Sequence, residues 1–375
     1  MYSEKAKKHA DACRFCYMCR HLCPVELATG KENNTPRAKG LQVSMMERGM
    51  KMDSGSAVTM YECLLCGACT ADCVTGFDPL LFIREARTHA VLENLEPPFA
   101  RRVIDRLLAT GNPYGAKECR ADLTGIPTQG ETLLWLGSAA RYAVPDVAQA
   151  FMSILKKAGV RFAVLADEPA SGCELGDMIG HVEDVRQQAM TAAAALQQAG
   201  AKRVIVLDSH DAAFFLHECR DWGIHLPEIV TATSFVLDLI ETGRITPVKK
   251  KETVSYHDAA RLSRDIGELH TARRILAGMG ADLHELYLNE LMNKHSDSNH
   301  ACGSAVRARE CGSSLMGQMR PDLARKLCEN RYADLLRTDS RILVAADPQA
   351  TEALRLSIPV GCEYRDLFVM LDSRL

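Results

Sequence analysis

The sequence predicts a cysteine-rich α-helical domain followed by two α/β modules. Three observations lead there. Two identical four-cysteine runs lie within the first 73 residues, the pattern changes near residue 131 to apolar runs alternating with glycine-closed helices, and that alternation restarts near residue 250. With 375 residues, 47% of them hydrophobic, the chain can bury more than one core, so two or three domains are expected.

Cys13, Cys16, Cys19 and Cys23 form a C-x2-C-x2-C-x3-C run, and Cys63, Cys66, Cys69 and Cys73 repeat it; Pro24 follows the first run and Val74 the second. Thiolates at three-residue intervals on a tight loop can each reach a different iron of one [4Fe-4S] cubane. The fourth cysteine, where the chain turns helical, points away and in two-cluster ferredoxins ligates the other cubane. The spacing therefore predicts two [4Fe-4S] clusters. One is held by Cys13, Cys16, Cys19 and Cys73, the other by Cys63, Cys66, Cys69 and Cys23. Zinc knuckles present paired C-x2-C motifs without a third cysteine three residues on, so that reading is set aside. Disulfides are disfavoured because no apolar signal segment follows Met1-Tyr2-Ser3-Glu4-Lys5, which makes a reducing cytoplasmic location the expectation.

Between the runs, Leu41, Val43, Met45 and Met46 follow Thr35-Pro36 at roughly helical spacing, so residues 1–110 read as the helical type of two-cluster ferredoxin-like domain. The Met-rich stretch Met45, Met46, Met50 and Met52 reads as packing. A charged helical stretch runs from Asp78-Pro79 to about Ala109, and Gly111-Asn112-Pro113-Tyr114-Gly115 opens a linker over 111–130. The first α/β module spans 131–245, with strands expected at Thr132–Leu136, Arg161–Ala166 and Arg203–Leu207 and helices ending at Gly159 and Gly200. The second spans 250–375, with strands at Thr253–His257, Leu283–Leu288 and Arg341–Ala345, a helix ending near Gly278 and a long helix after Pro321.

Two four-cysteine runs followed by two α/β modules, the second opening on Tyr256-His257-Asp258, resemble the iron–sulfur subunits of glycolate oxidase, lactate utilisation and anaerobic glycerol-3-phosphate dehydrogenase. Heterodisulfide reductase subunits share the same cysteine-rich (CCG) modules. The resemblance implies five cysteines per complete module. Here Ser138, Gly172-Cys173-Glu174, Ser209 and Ala212 occupy those places in the first module, and Ala260, Ala301-Cys302-Gly303, Asp347 and Ala350 in the second. One cysteine per module cannot hold a multi-iron centre, so these are expected to be degenerate CCG modules that keep the fold without the metal. Cys173, Cys302 and His257 are carried as relict positions. A further metal site near His295, His300, Cys302 and Cys311, or near His217 and Cys219, matches no standard spacing.

Net charge of −3 gives no basic field for nucleic acid, and no apolar run reaches the roughly 20 residues of a membrane span. No G-x-G-x-x-G and no P-loop occur, so no flavin or nicotinamide site and no catalytic residue is assigned. The resemblance implies an electron-transfer subunit that passes electrons singly between an FAD-containing dehydrogenase subunit, oxidising a 2-hydroxy acid or similar substrate, and an acceptor. Further electron-transfer subunits, and peripheral attachment to the inner face of the membrane through partners, belong to the same expectation. Two alternatives stand beside it: a heterodisulfide reductase-like thiol/disulfide oxidoreductase, and a scaffold subunit that organises a redox complex.

Overall fold

The computed structural model describes residues 2–286 and 308–375. Cys302, His295 and His300 lie outside the described residues, as does the end of the expected strand Leu283–Leu288.

Seven helices build the N-terminal region: Glu4–Asp11, Pro24–Thr29, Pro36–Glu47, Ser54–Tyr61, Ala68–Asp72, Pro79–Leu92 and Pro98–Thr110. Their starts are written locally. Ser3, Thr35, Asp53 and Asp78 each accept a backbone N–H of the first turn, and Pro36 and Pro79 occupy first-turn positions where no N–H is needed. The single helical stretch expected over 79–109 is two helices. Pro97 and Pro98 remove N–H donors and clash with the preceding turn, which ends the first helix at Leu92 and lets a second begin at Pro98. Val43, Met60, Phe82, Ile83 and Ala86 are fully buried where the helices meet, and Met46 and Met52 join that core while Met45 and Met50 face outward.

Residues 111–130 contain neither helix nor strand. Beyond them lie two small parallel sheets. In the first, β1 (Thr132–Trp135), β2 (Ala163–Val164), β3 (Arg203–Val206) and β4 (Glu228–Thr231) are ordered β2-β1-β3-β4; in the second, β5 (Thr253–Tyr256), β6 (Asp282–Leu283), β7 (Ile342–Ala345) and β8 (Glu363–Asp366) are ordered β6-β5-β7-β8. All the pairings are parallel, with Leu134 opposite Ile205 and Tyr256 opposite Val344 at the centres. Parallel strands must be crossed over by helices, so both faces are covered and the central strands read as continuous apolar runs. The outer strands β4 and β8 went unread in the sequence because Glu228, Glu363 and Arg365 interrupt their hydrophobicity.

Helices from both halves pack into one apolar cluster. Phe151 meets Phe368 edge-on at 4.9 Å, and Val147, Leu155, Val236 and Leu371 close around them. This fixes the two sheets against one another, so that the loops after β3 and after β7 meet. Two wide π-turns, Phe215–Cys219 and Arg261–Ile266, lie near this junction, and the His217 ring nitrogen Nε2 sits 3.0 Å from the Asp265 carbonyl.

Candidate functional site

The two cysteine runs fold into the same loop. Phe15 and Leu65 hold φ of 55° and 51°, and Tyr17 and Gly67, two residues on, hold 65° and 73°. Each non-glycine residue in the left-handed region costs about 1–2 kcal/mol. Both loops accept that cost at matching positions, and the result turns the thiols of each run to one side. In the second loop the Leu65 N–H donates to Cys63 Sγ at 3.4 Å.

Each fourth cysteine sits at a helix end, Cys23 just before Pro24–Thr29 and Cys73 just after Ala68–Asp72, and each reaches across to the other run. Cys13, Cys16, Cys19 and Cys73 line one cavity of about 160 Å3, and Cys23, Cys63, Cys66 and Cys69 line another of about 30 Å3. Thus the structure brings all eight cysteines together in two sets of four, each drawing three from one run and one from the other.

The two cavities differ in their surroundings. The outer one opens beside Tyr17, Met18 and Val74, which are 50%, 55% and 97% exposed, and Cys16 itself is exposed. Arg37 lies over the Phe15 and Tyr17 rings, with its carbon 4.4 Å from the Tyr17 centroid. The inner cavity is walled by buried Val25, Ala68 and Ile83 and by Lys39. The Lys39 ammonium donates to the Asn34 carbonyl at 2.6 Å, and the Cys23 thiol donates to the same oxygen at 3.6 Å. Two arginines bind the inner loop to its neighbours. Arg87 donates to the Met60 and Cys63 carbonyls and to that of Asp177, and Arg264 donates to the Cys66 carbonyl.

Burial pushes the Cys66 thiol up to about 12 and the Cys19 thiol to about 11. Cys69 is raised well above its ordinary value by burial and then by the thiols of Cys66, Cys63 and Cys23 around it. Cys73 goes the other way: burial raises it, but hydrogen bonds from Thr75 outweigh that. Four converging soft thiol donors per cavity are a donor set that suits an iron–sulfur cluster.

Comparison with known proteins agrees with this chemistry. Residues 9–77 match the family described as 4Fe-4S dicluster domain. The chain is 29% identical to a subunit of the dihydromethanophenazine:CoB–CoM heterodisulfide reductase of Methanosarcina barkeri, over 90% of this chain and 86% of that protein. This is an iron–sulfur electron-transfer subunit related to that heterodisulfide reductase polypeptide. A protein of Chromohalobacter salexigens designated Probable membrane-anchored ferredoxin is 24% identical to this iron–sulfur subunit, over 93% of this chain and 57% of its own length. The EtfAB:quinone oxidoreductase of Syntrophomonas wolfei is 23% identical over 72% and 39%. Among the described residues of the chain, no helix is long and apolar enough to cross a membrane.

Of the relict positions, Cys173 and His257 lie toward the carboxyl ends of the two sheets, and Cys302 is outside the described residues. Cys173 is buried at the start of the helix Cys173–Ile179, its thiol raised well above the ordinary value first by burial and then by Asp177. It lines a cavity of about 240 Å3 with Asp177, His181, His210 and Arg261, separated from the inner thiol cavity by Leu80, which lines both. Asp177 is held well below the usual carboxylate range: burial opposes this, but Arg261 at 2.9 Å and Arg84 at 3.1 Å prevail. His257 is buried, with its Nε2 3.5 Å from Glu310. His257, Glu310 and Cys311 converge within 4.8 Å, a grouping that the sequence reading missed; the Cys311-Gly312 pair was its signal. They do not suit a metal ion. Arg331 donates its Nε–H to His257 Nδ1 at 3.0 Å, so the imidazole proton sits on Nε2, the nitrogen a metal would need.

Proposed function

We propose that the chain holds two [4Fe-4S] cubanes, one on Cys13, Cys16, Cys19 and Cys73 and the other on Cys63, Cys66, Cys69 and Cys23. It passes electrons singly between a flavoprotein dehydrogenase subunit and an acceptor. The observation that carries this reading is the cross-paired division of the eight thiols between an inner cavity and an outer one. When bound, the cubanes supply one-electron redox chemistry. The chain supplies the rest. Leu65 donates a backbone N–H toward sulfur, and Lys39 places a buried positive charge beside the inner set. The apolar rim of Tyr17, Met18 and Val74 offers a docking face through which electrons enter or leave. No flavin or nicotinamide site is assigned to the chain itself.

Residues 1–110 form the cluster domain in this reading, 111–130 the linker, and 131–245 and 250–375 two related modules. Their relationship is supported by the shared strand order and by the matching placement of Asp208 after β3 and Asp347 after β7. The complex is placed on the cytoplasmic side, attached to the membrane through partners where it is attached at all.

Anaerobic purification tests the proposal. About eight irons per chain are expected, with the chain copurifying with a flavin-containing subunit whose substrate reduces the clusters. A chain that holds fewer than eight irons after reconstitution, or that accepts no electrons from any copurifying flavoprotein, would sink it. The relatives named as heterodisulfide reductase subunits favour a second reading, a thiol/disulfide oxidoreductase. It requires iron beyond the two cubanes and electron transfer to an asymmetric disulfide.

A further inference from the structure

Where the loops after β3 and β7 meet, Asp208 and Asp347 bind each other's segments reciprocally. The Ser209 backbone N–H donates to Asp347 Oδ2 at 3.0 Å, and the Gln349 carboxamide donates to Asp208 at 3.1 Å. Both aspartates are 1% exposed, and Asp211 beside them is 7% exposed. Among the described residues, no arginine or lysine pairs with any of the three. Buried carboxylates persist only when they are paired, protonated or bound to a metal.

Asp211 is accounted for. It accepts the indole N–H of Trp135 at 2.8 Å and the Ser171 hydroxyl at 2.5 Å. Asp208 and Asp347 take backbone and carboxamide donors and keep further lone pairs. Facing Asp208 at 3.9 Å is His210 Nδ1, which has no hydrogen-bond partner among the described residues. Donor atoms of Asp208, His210 and Asp347 lie within 4.8 Å of one another. The Gln349 carboxamide, 2% exposed, reaches into the same knot, and its Oε1 is also without a partner among the described residues. The knot thus collects acceptors and lacks a positive charge.

We propose that Asp208, His210 and Asp347 form a mononuclear site for a divalent first-row transition ion such as Mn2+, with the Gln349 carboxamide beside it. Two carboxylates and one imidazole suit such an ion better than Ca2+, which takes six to eight oxygens. The bonds from Ser209, Ala350 and Gln349 orient the carboxylates as outer partners do in metal sites. His210 also lines the 240 Å3 cavity, which gives the ion a way in. With one aspartate from each sheet, the ion ties the two α/β halves together.

The experiment titrates the anaerobic, cluster-loaded chain with Mn2+, reading free ion by EPR and the thermal midpoint in parallel. The expected result is one saturable Mn2+ per chain and a raised midpoint. H210Q and D347N should each weaken binding at least tenfold while cluster absorbance is retained. Asn caps a helix as well as Asp, so D347N keeps the start of the helix Pro348–Leu354 and guards against a folding artefact in H210Q. Absence of saturable binding in the unaltered chain, or binding unchanged in both variants, would overturn the site and assign the carboxylates to protons instead.

Discussion

Arg264 donates its Nε–H to the carbonyl of Cys66 at 2.5 Å, joining the π-turn after β5 to the loop of the second cysteine run. A residue almost 200 positions downstream therefore helps set the shape of that loop. Replacing it with methionine keeps most of the aliphatic volume but removes the donor and the charge. R264M is expected to lower the reduction potential of the inner cluster and leave the outer one unchanged, read by potentiometric EPR. Equal shifts in both signals would contradict the cross-paired ligand sets.

Lys39 makes a sharper electrostatic case. Its side chain is 2% exposed and lowers the pKa of Cys23 against the dominant effect of burial, so its charge is felt at the inner thiols. Reduction adds negative charge to a cluster, which a nearby cation favours. K39M should lower the inner potential by about 50–100 mV, the size of a single charge at close range in a protein interior. A change below about 10 mV would mean that the charge is already compensated.

Arg87 is a mechanical tie. Its guanidinium is 2% exposed and donates to carbonyls of Met60, Cys63 and Asp177, joining two helices and the inner loop. R87L strands those carbonyls, at a cost of about 3–5 kcal/mol. Urea unfolding of the cluster-loaded chain should show a lower midpoint with an unchanged slope.

Glu174 gives the pH dependence a sign. Burial lifts its carboxyl to about 8, against the bond donated by the Ser138 hydroxyl. With the folded value above the unfolded one, its contribution is present below the unfolded pKa and is lost as pH rises toward 8. Stability should fall between about pH 5 and 8, and E174Q should flatten that part of the curve. Thermal midpoints across this range would check it; a parallel curve for E174Q would refute the assignment.

What the sequence disclosed and what it withheld divide along physical lines. The cysteine runs were legible because ligand spacing is local, and β1, β3, β5 and β7 because these central parallel strands are mostly apolar. The outer strands β4 and β8 carry charges and partial exposure that hid them, while the strands expected at Arg161–Ala166 and Leu283–Leu288 shorten, among the described residues, to the two-residue β2 and β6. The Asp208–Asp347 junction joins segments whose contact is made 138 residues apart, with both aspartates also serving as helix caps. Capping explains each aspartate locally, which hides what they form together.

The unequal enclosure of the two thiol cavities has a consequence for how long the protein lasts outside its complex. If the outer thiol set holds a cluster as proposed, the opening at Tyr17, Met18 and Val74 that would shorten an electron's path to a partner would equally shorten oxygen's path to that cluster. The ends of the wire would therefore age at different rates in air, the outer one first. A docked partner would act as a stopper as well as a conductor, and the lifetime of the isolated protein would report how well that face is covered.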